Sequence, residues 1–183
     1  MEDLRIKKIV VDSSVDFRFP LSIVKKFGEY EIIPKLQIKA LPKKFEFCLD
    51  DTEFLFLCDD LEQDPVLTGN EYRQKILDSG FVPLDAYCAN ALYTDKSLLE
   101  ELHTKWFWDA GGLRSGKNLR TLSFFGSMVQ SDGDAINAVS FEYDMITNKT
   151  TFTPYEANDP WFVHQDHIIV FKKQFIKKLK SLK

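Results

Sequence analysis

The stretch Ile136-Asn-Ala-Val-Ser-Phe-Glu-Tyr143, with Thr150-Thr-Phe-Thr-Pro-Tyr155 a few residues later, decides the fold of this chain. Both segments are rich in the β-branched and aromatic residues that favour strands. The segment 146–149 between them predicts a turn, so we expect the two to pair as an antiparallel hairpin. Leu119–Phe125 predicts a third strand before the hairpin.

Short turns, rather than helical crossovers, join most of the other predicted elements. We expect strands at residues 4–11, 36–41, 44–49, 53–58 and 168–171, and helices at 20–28 and 70–79. Another helix begins at Thr94 or Ser97, where Ser97 and Glu100 have the spacing of a capping box. This order favours α+β with a mainly antiparallel sheet. A length of 183 residues suits one domain, so we predict a single globular α+β domain over residues 1–183 with flanking helices.

The C-terminal segment 171–183 contains six lysines and no acidic residue. Phe171, Phe175, Leu179 and Leu182 recur at helical spacing, which predicts an amphipathic helix. We expect its apolar stripe to dock on the sheet and its lysines to be solvated. Binding to a membrane surface or to nucleic acid is the alternative for such a helix. The formal charge of −4 for the whole chain makes nucleic acid an unexpected partner.

Composition indicates a cytosolic protein. Cys48, Cys58 and Cys88 are an odd number at scattered spacings, which argues against a disulfide framework. The first residues lack the apolar core of a signal peptide. No uncharged apolar stretch approaches the roughly 18 residues that a membrane-spanning helix requires. We therefore expect no membrane span.

Charge is distributed unevenly, because residues 45–72 contain nine carboxylates and no lysine or arginine. The rest of the chain has 24 basic and 19 acidic residues and sums to +5. Apolar residues on either side of Asp50 and Asp51 predict a β-hairpin over residues 45–58 whose turn and exit are acidic. We expect this hairpin and the basic C-terminal helix to form opposite poles of the protein.

The acidic segment is either a solvated face or a surface that binds a basic partner. A one-signed patch attracts an oppositely charged protein and speeds its association. A divalent-metal site is disfavoured, because six or more strand residues separate Asp50 from Asp59 in the predicted hairpin. We expect a basic protein partner, bound through Asp50, Asp51, Glu53, Asp59, Asp60, Glu62 and Asp64.

A glycine-rich loop offers the alternative function. Residues 111–117 match the G-x-x-x-x-G-K spacing of a phosphate-binding loop, in which Lys117 would reach the phosphates. Asn118 follows, where such a loop has the Ser or Thr that holds magnesium. The alternative is therefore a small enzyme or ligand-binding protein that uses the loop 111–117 on a phosphorylated ligand.

Histidine and cysteine give no stronger evidence for chemistry. His164 and His167 have the i, i+3 spacing of two metal ligands on a helix, but the apolar residues around them favour a strand. Cys88 could act as a nucleophile with His103 or His167, yet residues 87–92 have the composition of packed core. We assign no catalytic residue, no metal ligand and no cofactor.

Short motifs in the C-terminal third resemble the SUKH superfamily. They are Phe124–Gly126, Ser131–Asp134, Phe141–Asp144 and a closing helix that carries Phe175 and Leu179. Members of that superfamily are α+β proteins, and many are bacterial immunity proteins that neutralise a toxin domain. The resemblance implies binding rather than catalysis. We therefore expect a non-enzymatic interaction module, in its sharpest form a toxin-neutralising immunity protein.

Overall fold

The structure is a computed structural model that describes residues 3–14, 30–56, 67–109, 119–131, 135–144, 146–147, 149–158 and 166–181. The strands are β1 (Ile9–Asp12), β2 (Tyr30–Ile32), β3 (Lys44–Phe47), β4 (Thr52–Phe56), β5 (Val82–Pro83), β6 (Leu119–Ser131), β7 (Ile136–Asp144), β8 (Lys149–Glu156) and β9 (Asp166–Phe171). The α-helices are α1 (Gly69–Asp78), α2 (Ala86–Tyr93), α3 (Lys96–Asp109) and α4 (Lys173–Ser181). Short 3-10 turns occupy Pro34–Leu36 and Leu49–Asp51.

The main sheet has the strand order β4-β9-β6-β7-β8, with β2 beside the end of β6 and β5 beside the end of β9. Every pair in it is antiparallel except β6 with β9. The predicted hairpin is confirmed as β7 and β8, in which Phe141 lies opposite Phe152. The α+β prediction with a mainly antiparallel sheet is likewise confirmed.

A large irregularity interrupts β6 between Phe124 and Met128, where three residues have no counterpart on β7. The middle residue, Gly126, donates its N–H to the carbonyl oxygen of Leu84 at 2.8 Å. A Cβ atom on Gly126 would lie 2.5 Å from the carbonyl oxygen of Pro83, a distance that real Cβ atoms do not show. The bulge thus requires glycine, and it joins the sheet to the segment that leads into α2.

Helices α1, α2 and α3 each begin at a side chain that accepts backbone N–H groups. The carboxylate of Asp85 accepts from the N–H of Cys88 at 2.9 Å at the start of α2. At α3, the carboxylate of Asp95 accepts from the N–H groups of Ser97 and Leu98, both at 3.1 Å. Asp95 is therefore the cap, and the prediction that this helix begins at Thr94 or Ser97 is wrong by one or two residues.

The predicted hairpin over residues 45–58 is wrong as a pairing. Both strands exist, but β3 pairs with β1 in a separate two-stranded sheet and β4 pairs with β9. The physical reason is aromatic packing at longer range: the rings of Phe45 and Phe47 meet the ring of Phe171 on β9, at 5.9 and 5.2 Å between centroids. A strand with alternating apolar residues can pair with any strand that completes the apolar face, and the next strand in the sequence is only one candidate.

The predicted strand at residues 36–41 is also wrong. Pro34 begins a 3-10 turn that ends at Leu36, and residues 39–40 form a further turn. Ile38 donates its N–H to the carbonyl oxygen of Gly126 at 2.9 Å, so the segment packs on the bulge of β6 instead of extending along a strand. The predicted helix at 20–28 lies outside the described residues.

The C-terminal helix α4 docks on the core as predicted. Phe175, Ile176 and Leu179 are buried, while the lysines of the helix are exposed. The ring of Phe175 stacks on that of Phe171 at 5.0 Å. In the part of the chain that the structure describes, no helix is long and apolar enough to cross a membrane.

Candidate protein-binding site

The 3-10 turn Leu49–Asp51, the acidic turn, joins the two sheets and carries the first predicted binding residues. Asp50 is exposed, whereas Asp51 is half-buried. The carboxylate of Asp51 accepts from the backbone N–H of Cys48 at 2.9 Å and from its thiol at 3.2 Å. The Asp51 carboxylate therefore stabilises the turn, whereas the exposed Asp50 carboxylate is accessible to a partner. Burial and the Asp51 carboxylate raise the pKa of the Cys48 thiol.

Basic residues of the same chain lie next to the acidic turn. The ammonium group of Lys172 donates to the carbonyl oxygen of Asp50 at 2.6 Å, and the Lys172 N–H donates to that of Asp51 at 2.8 Å. Asp50 in turn donates its N–H to the carbonyl oxygen of Arg5 at 3.1 Å. The acidic turn and the basic helix α4 are thus neighbours, and the expectation that they form opposite poles is wrong. The cause is the pairing of β4 with β9, which leads directly into α4.

An apolar groove lies between β3 and α4, beside the acidic turn. It encloses a cavity of about 520 Å³. Its apolar lining comes from Phe45 and Phe47 on β3 and from Phe175 and Leu179 on α4. Ile6 lines the same groove and is 62% exposed, although its side chain is wholly apolar. The groove therefore offers apolar surface to a partner, in contrast to the solvated face that charge alone would indicate.

Charged residues around the groove are largely neutralised within the chain. Lys8 forms an ion pair with Glu46 at 2.7 Å, across the two-stranded sheet. Lys44 forms a second pair with Asp12, also at 2.7 Å. Asp51 and Lys178 complete the charged part of the lining. The groove itself thus carries no strong charge of one sign, and the charged groups described beside it are the acidic turn and Lys172.

The other predicted binding residues are Glu53 on β4 and four carboxylates that follow it in the sequence. Glu53 lies half-buried on β4, opposite Val170 of β9. The remaining predicted carboxylates, Asp59, Asp60, Glu62 and Asp64, lie outside the described residues. The loop 111–117 with Lys117, and His164, also lie outside them.

The residues considered for chemistry lie on three different elements: Cys88 on α2, His103 on α3 and His167 on β9. His167 is buried on β9 in a strand, as its apolar neighbours predict. Cys88 is fully buried, and burial together with Asp85 raises the pKa of its thiol well above the ordinary value. His103 lies on α3, where its ring stacks on Tyr143. Within the described ranges, no group of three or more His, Cys, Asp or Glu residues could hold a metal ion.

The sequence did not reveal the groove. Phe45, Phe47, Phe175 and Leu179 were each interpretable as core residues, and all four are indeed buried. The available signal was Ile6, an apolar residue in a charged N-terminal segment between Arg5 and Lys7. Comparison of the chain with known protein families, with curated proteins and with solved structures gave no match.

Proposed function

We propose that this chain is a non-enzymatic, cytosolic interaction module that binds a basic protein at the apolar groove and the acidic turn beside it. The observation that carries the proposal is the exposed apolar side chain of Ile6 over a groove lined by Phe45, Phe47 and Phe175, next to the acidic turn. The two features supply different parts of the binding energy.

The groove supplies affinity through burial of apolar surface. One aromatic side chain of a partner buries on the order of 150 Å². At about 25 cal/mol per Å², that burial contributes about 4 kcal/mol before the costs of association. Ile6 adds to this, because the partner would cover a side chain that water now surrounds. A partner segment with an aromatic or large aliphatic residue fits this groove.

The acidic segment supplies orientation and speed of association. Residues 45–72 have nine carboxylates and no basic residue. Asp50 is exposed in the acidic turn, directly before Asp51 of the groove lining. It acts on Arg5, whose pKa is raised first by Asp3 and also by Asp50. A partner whose lysines or arginines flank its apolar residue satisfies both features. Exposed pairs of this kind act mainly on the association rate and weaken with salt.

Toxin neutralisation is the specific form of this interaction that we propose. Its support is the resemblance of Phe124–Gly126, Ser131–Asp134 and Phe141–Asp144 to the SUKH superfamily. A toxin domain that acts on a polyanion such as nucleic acid needs a basic surface, and an acidic partner blocks such a surface by charge complementarity. Whether the partner is a toxin depends on the activity of that partner and does not follow from the fold of this chain.

Affinity capture followed by measurement with purified components tests the proposal. The chain is immobilised and exposed to a lysate of its native host at about 50 and about 300 mM salt. Each captured protein is then purified, and its dissociation constant is measured by calorimetry at several salt concentrations. The proposal predicts a basic protein with a 1:1 complex whose affinity falls as salt rises. An acidic partner, or an affinity that salt does not change, contradicts it.

A further inference from the structure

Strand β3 has one edge that no described strand covers. Within the described ranges, β3 pairs with β1 alone. Ser13 donates its N–H to the carbonyl oxygen of Lys43 at 2.7 Å, so these two residues form a hydrogen-bonded pair of the antiparallel ladder. Hydrogen-bonded pairs alternate along such a ladder with pairs that exchange no hydrogen bonds. Lys44 and Glu46 belong to the second kind, and their N–H and C=O groups therefore point away from β1.

These four backbone groups, the open edge of β3, are bounded at both ends. Pro42 precedes them and has no N–H to donate. After them, Cys48 donates its N–H to the Asp51 carboxylate at 2.9 Å and accepts from the Asp51 N–H at 3.0 Å. The consecutive residues 44–48 all line the apolar groove. Because alternate residues of a strand face opposite sides of a sheet, a space lined by consecutive residues lies along the edge, where a further strand can pair.

The side chains of the open edge have charges of both signs. Lys44 and Glu46 are exposed on either side of the buried Phe45. Towards β1, Lys44 forms an ion pair with Asp12 and Glu46 forms one with Lys8, each at 2.7 Å. Charges of one sign along an exposed edge repel a second copy, and many proteins protect such a strand in this way. Here the sign changes at Phe45, so the open edge is complementary to itself.

We propose that two copies of this chain pair antiparallel through the open edge of β3, about a two-fold axis at Phe45. Phe45 of one copy then lies opposite Phe45 of the second copy, and Lys44 lies opposite Glu46. The two Lys44–Glu46 pairs are hydrogen-bonded pairs, so the contact adds four backbone hydrogen bonds. The two-stranded sheets of both copies join into one sheet of four strands, and the interface is isologous.

The charge pattern extends across all four strands and selects a second copy as the occupant. On the outer face the signs alternate along a row, which consists of Asp12 and Lys44 of one copy followed by Glu46 and Lys8 of the second copy. The two-fold axis repeats this row. Residues 39–44 have three lysines and no acidic residue, and antiparallel pairing directs them towards the acidic turn of the second copy. Opposite charges across paired strands stabilise the pairing, and like charges oppose it.

Self-association and the binding of a basic protein exclude each other at this site. Both occupants cover the groove beside β3, so a partner has to displace the second copy. The dimer does not rest on the proposed function, because its evidence is the open edge and the order of charges along it.

Charge reversal in two separate chains tests the pairing. Sedimentation velocity is measured for the wild type, for Lys44→Glu and for Glu46→Lys from about 10 to about 500 µM. The wild type should form dimers with a dissociation constant on the order of 100 µM, as for a small transient interface. Each variant alone places like charges opposite each other and should dimerise at least about tenfold more weakly. An equimolar mixture should form a heterodimer, because one chain then has two acids at the edge and the other has two bases.

Two further variants complete the test. Lys75→Glu changes the net charge as K44E does but lies on the exposed side of α1, so it should dimerise like the wild type. Glu46→Pro removes an N–H of the open edge and no hydrogen bond to β1, and it should be monomeric. Circular dichroism checks that each variant is folded. A wild type that stays monomeric at the highest concentration overturns the proposal. So does a dimer that K44E, E46K and E46P leave unchanged, or a mixture of folded K44E and E46K that forms no heterodimer.

Discussion

Acid should destabilise this protein through the neutral imidazole of His103. The ring is packed between Tyr143 and Thr150, and burial lowers its pKa from 6.5 to about 4. Between these two pH values the His103 imidazole is protonated in the unfolded chain and remains neutral in the folded protein. The His103 contribution to stability is therefore intact above about pH 6.5, falls as the pH drops, and is fully lost below about pH 4.

The size of the loss in the free energy of unfolding follows from the difference between the two pKa values. Each pH unit between them corresponds to about 1.4 kcal/mol, so the whole interval gives an upper limit of about 3 kcal/mol. The ring keeps some contact with solvent, which reduces the effect, and we expect about 2 kcal/mol. Lys96, Glu100 and Lys149 line a cavity together with His103, and all three are common to the wild-type protein and to a His103 variant.

The assay is urea unfolding, followed by tryptophan fluorescence, of the wild-type protein and of His103→Gln at pH 7.5, 6.5, 5.5 and 4.5. Glutamine keeps a polar side chain but does not titrate, so other titrating groups cancel in the difference between the two proteins. We expect the free-energy advantage of the wild type to shrink by about 2 kcal/mol towards pH 4.5. A difference that stays constant over this range refutes the reasoning, as does an NMR titration midpoint of His103 near 6.5.

Three further predictions concern the bulge, the buried thiol and the acidic segment. Gly126→Ala should lower the free energy of unfolding by about 2 kcal/mol or more, because the new methyl group meets the backbone of residues 83–85. Gly80→Ala, where φ is +76° but nothing lies within 4 Å, should cost only about 1 kcal/mol, and thermal unfolding compares the two. In a Cys48→Ser, Cys58→Ser variant, the buried Cys88 should react with a thiol reagent only as fast as the protein opens; rapid labelling of the folded protein contradicts its burial. Reversal of charge at Asp59 and Asp60 should weaken the complex with the basic partner and flatten its salt dependence, and unchanged affinity excludes these two residues from the site.

Elements that depend on neighbouring residues were predictable from the sequence. The β7–β8 hairpin forms between segments joined by a short turn, and its composition and turn specify it locally. Helix α1 was expected at residues 70–79 and lies at Gly69–Asp78. The stripe of Phe175 and Leu179 predicted a docked helix, because its spacing is visible within nine residues.

Pairings between distant segments were not predictable. Phe45 and Phe47 alternate with polar residues, which predicts a strand but does not name its partner. The ring of Phe171, more than 120 residues away, helps to set the position of β3, and the neighbouring strand β4 pairs elsewhere. The parallel pairing of β6 with β9 has the same origin, since nothing local specifies it.

The candidate sites depend on these distant pairings. The groove combines Ile6, the β3 phenylalanines and helix α4, which come from three separate parts of the chain. The contacts of His103 on α3 with Tyr143 and Thr150 likewise join segments that are distant in sequence. The sequence did identify Asp50 as a surface carboxylate, because charge and turn composition are local properties. Which apolar residues would lie beside it depended on the tertiary fold.

The groove is tested most directly by the affinity of the basic partner for two matched variants. Ile6→Ser removes an apolar side chain that is 62% exposed over the groove, and Ile146→Ser removes one that is 73% exposed on the β7–β8 turn. Both sites are exposed, so both variants should fold with nearly unchanged stability. We predict that I6S weakens the complex about tenfold, which corresponds to about 1.4 kcal/mol, while I146S changes the dissociation constant less than about twofold. Equal effects of the two variants, or no effect of I6S, would contradict binding at the groove.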